Sequence, residues 1–229
     1  MKALAQIRSR RASSEVHGLI LDAARTTFAE KGYARTTTRE IAARAGVAEV
    51  LLFRRFGSKA KLFAEAALEP MAKFIRDWLA GIDETLPRGT EDEYQREFLE
   101  KLHSIASANR GLLLTFFATS VFEPEVVRAG GANTTIQSAL DELAHMTERT
   151  LVERGITLKD FNVPLASRSV IGMVLAMALF GEWLLPAGKQ RPTRAELFDE
   201  LTRQVLYGGF NQRPAPKRGR MPHARSRRS

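Results

Sequence analysis

The sequence predicts an all-α protein. Apolar residues recur at a period of 3.6 through most of the 229 residues, and no stretch sustains the two-residue alternation of a strand. Glycine and proline interrupt the periodic segments at spacings typical of helix ends. A chain of this length can bury a substantial core, either as one large domain or as a small and a medium one.

The first periodic segments are short and are separated by glycine. A first helix is expected to open at Ser14 and Glu15, present one apolar stripe to the core and end at Gly32. Thr37 is followed three residues later by Glu40, which has the form of a capping box. This pair predicts the start of a second helix.

A helix-turn-helix follows from the next residues. Gly46 predicts a tight turn, because glycine accepts a positive φ without steric cost. Two short helices joined by such a turn form a helix-turn-helix, whose second helix is the right size for a DNA major groove. Ser58 then predicts the cap of a longer helix, which we expect to kink at Pro70. The apolar positions expected for the helix after the turn are Val47, Val50, Leu51, Phe53 and Phe56.

Four short motifs lie in this region in a fixed order. They are Ile41-Ala42, Ala45-Gly46-Val47, Phe53-Arg54-Arg55-Phe56 and Ser58-Lys59. Together they resemble the DNA-binding region of tetracycline-repressor-type (TetR-family) transcriptional regulators. The resemblance is close from Leu19 to Phe63 and elsewhere rests on length and helical layout. It implies a homodimer that binds palindromic double-stranded DNA, with a helical ligand-binding and dimerisation domain behind the DNA-binding head.

The chain is therefore divided into four predicted parts. These are a basic flexible N-terminal arm (1–14), a three-helix DNA-binding domain (15–62), a helical regulatory and dimerisation domain (63–210) and a basic disordered tail (211–229). The C-terminal domain is expected to contain helices at about 91–108, 111–122, 132–154, 164–185 and 193–209, with a loop at Pro87-Arg88-Gly89.

The charge distribution agrees with this division. Residues 1–62 carry 13 basic and 5 acidic side chains, a net charge of +8, whereas residues 63–212 carry 15 and 21, a net charge of −6. Residues 213–229 carry 7 basic side chains and no acidic one. A basic head on an acidic body is typical of a nucleic-acid-binding module joined to a domain that does not bind nucleic acid.

The resemblance and the helix geometry together imply which residues contact DNA. In the family, the position of Thr37 and Thr38 contacts the phosphate backbone. Arg54 can bridge guanine O6 and N7 or bind a phosphate, and Glu49 can accept a hydrogen bond from cytosine N4. The basic residues of the arm either follow the phosphates or form a solvated terminus. The full predicted set is Arg8, Arg10, Arg11, Thr37, Thr38, Arg39, Ala48, Glu49, Leu52, Phe53, Arg54, Arg55 and Lys59.

The body offers candidates for an apolar pocket and for a dimer interface. Each pocket candidate has ordinary core packing as its alternative. The segment 164–185 is apolar almost all round, which implies burial on two sides, and the resemblance pairs it with 193–209 in a four-helix dimer bundle. The pocket candidates, for a small apolar effector, are Trp78, Phe98, Leu102, His103, Phe116, Phe117, His145, Met146, Met173 and Met177. The interface candidates are Ile171, Leu175, Leu179, Trp183, Leu197, Leu201 and Val205.

Several other classes of protein find no support in the sequence. The absence of cysteine removes disulfides, thiol nucleophiles and thiolate metal sites, and the four histidines lack metal-ligand spacing. We expect no catalytic site, no cofactor, no signal peptide and no membrane insertion, hence a cytoplasmic protein. The tail either aids solubility or attracts phosphates.

The sequence thus predicts a ligand-responsive repressor. A nucleoid-type DNA-binding protein without an effector is the alternative, and an all-α enzyme with a DNA-binding head is a third.

Overall fold

The computed structural model describes residues 2–84, 91–153 and 162–208. This part of the chain is all-α and contains no strand, as the sequence predicts. The helices are α1 (Lys2–Arg35), α2 (Thr38–Arg44), α3 (Glu49–Phe56), α4 (Lys59–Glu84), α5 (Glu91–Ala108), α6 (Arg110–Phe122), α7 (Pro124–Ala129), α8 (Ala132–Glu153), α9 (Val163–Leu184) and α10 (Arg194–Tyr207).

The first helix is longer than the sequence predicts. It begins at Lys2 instead of Ser14, so the expected flexible arm is helical in the described backbone. Residues 2–13 contain no glycine or proline and include three alanines and three arginines, which favour helix. Gly32, with φ at +76°, breaks the helical path near its end, where the sequence predicts the helix to stop.

The helix-turn-helix forms as predicted. Thr37 caps α2, because its side chain accepts a hydrogen bond from the Glu40 N–H over 3.2 Å. Gly46 adopts a φ of +66° in the turn, and the Val47 N–H bonds back to the Ala42 carbonyl over 3.0 Å. This turn sets the direction in which α3 leaves the head.

The head and the body share packed side chains across the predicted boundary at residue 62. Phe63 of α4 contacts Phe28 of α1, with ring centroids 4.8 Å apart, and Phe116 of α6, at 5.8 Å. Leu112 and Val127 belong to the same buried cluster as the head residues. The core of the predicted DNA-binding domain is therefore completed by α6 and α7.

A second buried cluster fills the body. It is formed by α4, α5, α6, α8, α9 and α10, and includes Ile75, Leu102, Val174 and Phe198. Helix α5 coincides with its predicted span, and α5 and α6 meet at an angle of 78°.

Two prolines have effects that differ in kind. Pro70 lies inside α4, which continues past it to Glu84. Pro124 begins the short helix α7, which is not among the predicted helices, and its missing N–H has no helical partner to lose there. The predicted loop at 87–89 and the basic tail 211–229 lie outside the described residues.

Candidate DNA-binding surface and body cavity

One face of α3 points outward from the head. Val50 is 77% exposed and Phe53 is 44% exposed, and the exposed Arg54 lies one turn from Val50 on the same side. On the opposite side Leu52 is fully buried and Phe56 is 4% exposed, both packed in the head core. The outward face is therefore apolar with one guanidinium group at its edge.

Two expectations for α3 are wrong. Leu52 was expected to face DNA but lies in the core, and Val50 was expected in the core but is the most exposed large apolar residue of the helix. The segment from Val50 to Phe53 is apolar at four consecutive positions, so periodicity alone does not fix which side is buried. The Gly46 turn fixes that rotation, and its exact geometry is not readable from the residue types.

The predicted contacts on α2 have mixed environments. Thr37 and Arg39 are exposed, whereas Thr38 is half-buried. Glu40 does not complete the capping box, because its carboxylate pairs with the Lys31 ammonium. Arg39 and Arg54 pair with no acidic side chain in the described part of the chain, which leaves both charges available at the surface.

The start of α3 is held by a side chain from α2. Ala48 occupies the N-cap position, and its methyl side chain cannot cap the helix. The Thr38 hydroxyl instead donates a hydrogen bond to the Glu49 carboxylate over 2.5 Å. Glu49 is thus engaged within the head, and both residues are expected to orient α3 rather than to read a base.

The Lys59 side chain packs on an aromatic ring of the head, and its predicted contact with a phosphate stays a prediction. Its ammonium lies 4.2 Å from the centroid of the Tyr33 ring, in a cation–π arrangement. Burial lowers the pKa of Lys59, and the nearby Glu123 carboxylate opposes that effect. Burial, together with Glu123, also raises the pKa of Tyr33. These three residues lie where α1, α4 and the end of α6 meet, so Lys59 belongs to the junction of head and body.

The remaining basic candidates are less defined. Arg55 is half-buried on the flank of α3 and already interacts with another part of the protein. Arg8, Arg10 and Arg11 lie on the first turns of α1, and their side chains lie outside the description. Their proposed contact with phosphates stays a prediction.

The body contains a cavity of about 360 Å³ at the end of α4 farther from the head. Five helices enclose it, and its lining is mainly apolar. The lining residues are Trp78 and Leu79 of α4; Glu91, Tyr94, Gln95 and Phe98 of α5; Leu143, Met146, Thr147, Thr150 and Leu151 of α8; Val163, Ala166, Ser167 and Val170 of α9; and Val205 and Leu206 of α10. The volume is within the range of small-molecule sites.

Three of the ten predicted pocket residues line this cavity: Trp78, Phe98 and Met146. Tyr94 also lines the cavity but is not among the predicted pocket residues. It lies one turn before Phe98 on α5, and its only signal in the sequence is an aromatic side chain at helical spacing from Phe98. The other seven predicted pocket residues do not line this cavity. Four of them pack in a core, namely Leu102, Met173 and Met177 in the body and Phe116 in the head. His103 packs against Phe198, and Phe117 and His145 are exposed.

Tyr94 is the unusual member of the lining. Its hydroxyl is buried, and no group in the described part of the chain accepts its proton. Burial raises the pKa of Tyr94 to about 12, an effect that the Trp78 indole opposes and Glu97 reinforces. The phenol is therefore protonated at neutral pH and has a proton to donate.

An outer face of α9 is apolar and uncovered. Trp183 is 84% exposed, Phe180 and Leu165 are also exposed, and a Cβ atom at Gly172 would meet nothing within 4 Å. These residues recur at helical spacing along one side, and we name them the α9 outer face. By length and composition α9 could cross a membrane, but packed core helices meet the same test, and 28% of its apolar window is buried here.

The predicted dimer residues mostly lie elsewhere. Only Trp183 belongs to the α9 outer face. Because α9 is apolar all round, periodicity could not separate the side packed on its own chain from the outer side. Ile171, Leu179 and Leu201 are buried in the body core, Val205 lines the cavity, and Leu175 and Leu197 are half-buried against the core.

Comparison with known proteins agrees with the geometry of the head. Residues 20–66 match the family described as bacterial regulatory proteins, tetR family. The HTH-type transcriptional activator FasR of Mycolicibacterium smegmatis is 26% identical over 203 residues, which cover 87% of this chain and 85% of that protein.

Two solved structures share the overall fold. The transcriptional regulator FadR from Bacillus subtilis, in complex with stearoyl-CoA, has a TM-score of 0.60 at 20% identity and covers 84% of this chain and 98% of its own. Thermus thermophilus FadR, a TetR family transcriptional repressor in complex with lauroyl-CoA, has a TM-score of 0.57 at 23% identity and covers 87% and 98%. At these identities the likeness shows the fold alone.

The family match covers the segment in which the structure places the helix-turn-helix and the outward face of α3. The fold likeness extends over the helical body as well. The resemblance seen in the four short motifs is thereby confirmed. Residues 20–66 thus form a DNA-binding domain of the kind found in the tetR family of bacterial regulatory proteins, and the chain as a whole is similar to an HTH-type transcriptional regulator.

Proposed function

We propose that the protein binds a palindromic DNA operator as a homodimer, acts as a repressor, and responds to a small apolar effector held in the body cavity. The observation that carries the proposal is the outward face of α3, formed by Val50, Phe53 and Arg54 on a helix-turn-helix head. Such a helix fits the major groove, where base edges are distinguishable.

The composition of that face limits the bases it reads well. Val50 and Phe53 can contact thymine methyl groups, and Arg54 can donate two hydrogen bonds to a guanine or bind a phosphate. Ala48 and Arg39 flank the face and are both exposed. We expect operator half-sites that combine thymine with guanine.

Selection from a random double-stranded DNA library at near-physiological salt tests this part. We expect one palindrome whose half-sites lie one helical turn or a multiple apart. Arg54→Ala should weaken binding to that sequence by about 10-fold or more. Arg128→Ala, which removes the same charge from the exposed side of α7, should change it little. Enrichment of no sequence would favour a nucleoid-type protein without an operator.

The α9 outer face supports the homodimer. Trp183 and Phe180 expose large apolar surfaces that a second copy of the chain can cover. The open space beside Gly172 lets the backbone of a partner helix approach closely. Two identical faces related by a two-fold axis would also give the two heads the symmetry of a palindrome.

Matched arginine substitutions test that interface by sedimentation equilibrium. Trp183→Arg places a charge in the proposed interface and should yield a monomer. Val121→Arg places the same charge on an exposed apolar position of α6 and should leave the dimer intact. A monomer produced by Val121→Arg alone would move the interface to α6.

The effector part rests on the cavity. Helix α4 begins at Lys59 in the junction and reaches Trp78 in the cavity wall, a distance of about 28 Å along a helix. Occupation of the cavity can therefore bias the position of α4 and of the head above it. The fold neighbours hold stearoyl-CoA and lauroyl-CoA, which makes an acyl-chain compound the first candidate class.

The direction of regulation is tested by a reporter gene behind the selected operator. We expect transcription to rise when the protein is absent and to rise when the cavity is occupied. FasR of Mycolicibacterium smegmatis is named an activator, so the opposite sign is the defined alternative. A fall in transcription without the protein would replace repression by activation.

A further inference from the structure

The Tyr94 hydroxyl has a donor proton with no acceptor. It is buried in the cavity wall, and its ring packs beside the Trp78 ring with centroids 4.9 Å apart. The indole N–H of Trp78 is a donor only, so it cannot accept the phenolic proton. A buried hydroxyl whose proton has no acceptor destabilises the folded protein, whereas phenylalanine would fill the same space without that cost. A ligand atom that accepts the proton would remove the penalty.

The two threonine hydroxyls of the cavity do not compete for this role. The Thr147 and Thr150 hydroxyls already donate to the carbonyls of Leu143 and Met146 over 2.8 and 3.0 Å. Their protons are thus used within α8. Among the lining hydroxyls in the described part of the chain, that of Tyr94 is the one shut off from solvent without a hydrogen-bond partner.

The charge of the lining selects against an anionic group at this point. Glu91 is acidic, and the described lining contains no lysine, arginine or histidine. Lys101 lies 5.2 Å from the Trp78 ring centroid but is not part of the lining and pairs with Glu97. A buried carboxylate without a cationic partner is unfavourable, whereas a neutral carbonyl oxygen needs only one donor.

We propose that Tyr94 is the polar anchor of the cavity and that the effector is an apolar chain carrying a neutral carbonyl, as in an ester, thioester or amide. The carbonyl oxygen accepts the Tyr94 proton, and the chain lies against the apolar lining. This inference rests on the proposed effector role of the cavity. It assigns to Tyr94 the discrimination between a neutral acyl compound and the corresponding free acid.

The test measures binding of methyl dodecanoate and dodecanoate to the full chain at pH 8. At this pH the carboxylate is ionised and Tyr94 is protonated. The chain has two tryptophans, so Trp183→Phe leaves Trp78 in the cavity wall as the fluorescent reporter. The variants are Tyr94→Phe and, as a control, Thr202→Val, which removes another buried hydroxyl without a described partner, outside the lining.

We expect the ester to bind about tenfold more tightly than the carboxylate. Tyr94→Phe should weaken ester binding about tenfold, and Thr202→Val should leave it unchanged. Equal ester affinity in Tyr94→Phe and the parent, or equal affinity of the parent for the two probes, would overturn the anchor while leaving the effector cavity in place. If neither probe changes Trp78 emission, the effector role and the anchor both fail, and the DNA-binding proposal stands on its own selection experiment.

Discussion

A Cβ atom at Gly130 would lie 2.6 Å from the carbonyl oxygen of Ala60 and 2.9 Å from the Cβ of Ala64. The turn between α7 and α8 therefore rests directly on the first turns of α4. Gly130 has a φ of −72°, which any residue adopts, so the position requires glycine for space. Because α4 starts just after α3, this contact links the body to the base of the recognition helix.

Gly130→Ala is expected to push the turn away from α4. The clash involves a backbone oxygen, which cannot rotate away as a side-chain end can. We expect a loss of about 1–3 kcal/mol in the free energy of unfolding, measured by urea denaturation. Operator affinity at a temperature where the variant is folded should also change, since the base of α3 shifts with α4.

Gly81→Ala is the matched control within α4. A Cβ atom there would meet nothing within 4 Å, and alanine favours helix over glycine. We expect Gly81→Ala to raise stability by about 0.5–1 kcal/mol. Equal effects of the two substitutions would mean that the Gly130 contact does not constrain the turn.

The sequence predicts the fold better than it predicts the faces of its helices. Thr37, Gly46 and Ser58 act locally, so the turn and caps of the head are readable from residue type, and Ser58 does accept a hydrogen bond from the Lys61 N–H. The buried side of α3 and α9 depends on tertiary packing, because both helices carry apolar residues on several sides. The cavity needs five helices to meet, which no local pattern encodes.

Val50→Ala and Leu52→Ala separate DNA reading from folding on one helix. Val50 is exposed and Leu52 is fully buried, two residues apart on α3. Val50→Ala should weaken operator binding by about 3- to 10-fold and leave the urea midpoint unchanged. Leu52→Ala should lower stability by about 2–5 kcal/mol. A loss of stability in Val50→Ala instead would mean that α3 is rotated relative to its position here.

His103 should make stability fall as the pH decreases below about 6.5. Burial, and then the nearby Arg194, lower the pKa of His103, whose ring meets Phe198 edge-on at 5.2 Å. The unfolded chain therefore binds a proton at His103 at a higher pH than the folded chain does. The free energy of unfolding that His103 contributes is complete above the pKa of the unfolded state and is lost as the pH falls through the pKa of the folded state. His103→Gln should flatten the dependence between pH 7.5 and 5.5.

The control for this prediction is His145→Gln on α8, where the side chain is exposed. Chemical denaturation of the two variants and the parent protein at both pH values gives the comparison. The same pH dependence in His103→Gln and in the parent would show that other groups produce it.

Ala48→Ser should strengthen the start of the recognition helix. Ala48 has the extended backbone of an N-cap, with φ −71° and ψ 140°, but no side chain that can accept a hydrogen bond. A serine hydroxyl there can accept from the N–H of Val50, which should raise stability by about 0.5–1 kcal/mol in thermal unfolding. Thr38→Val should act in the opposite direction, because it removes the hydroxyl that donates to Glu49. If Ala48→Ser leaves the stability unchanged while Thr38→Val lowers it, the hydrogen bond between Thr38 and Glu49 already replaces the missing cap.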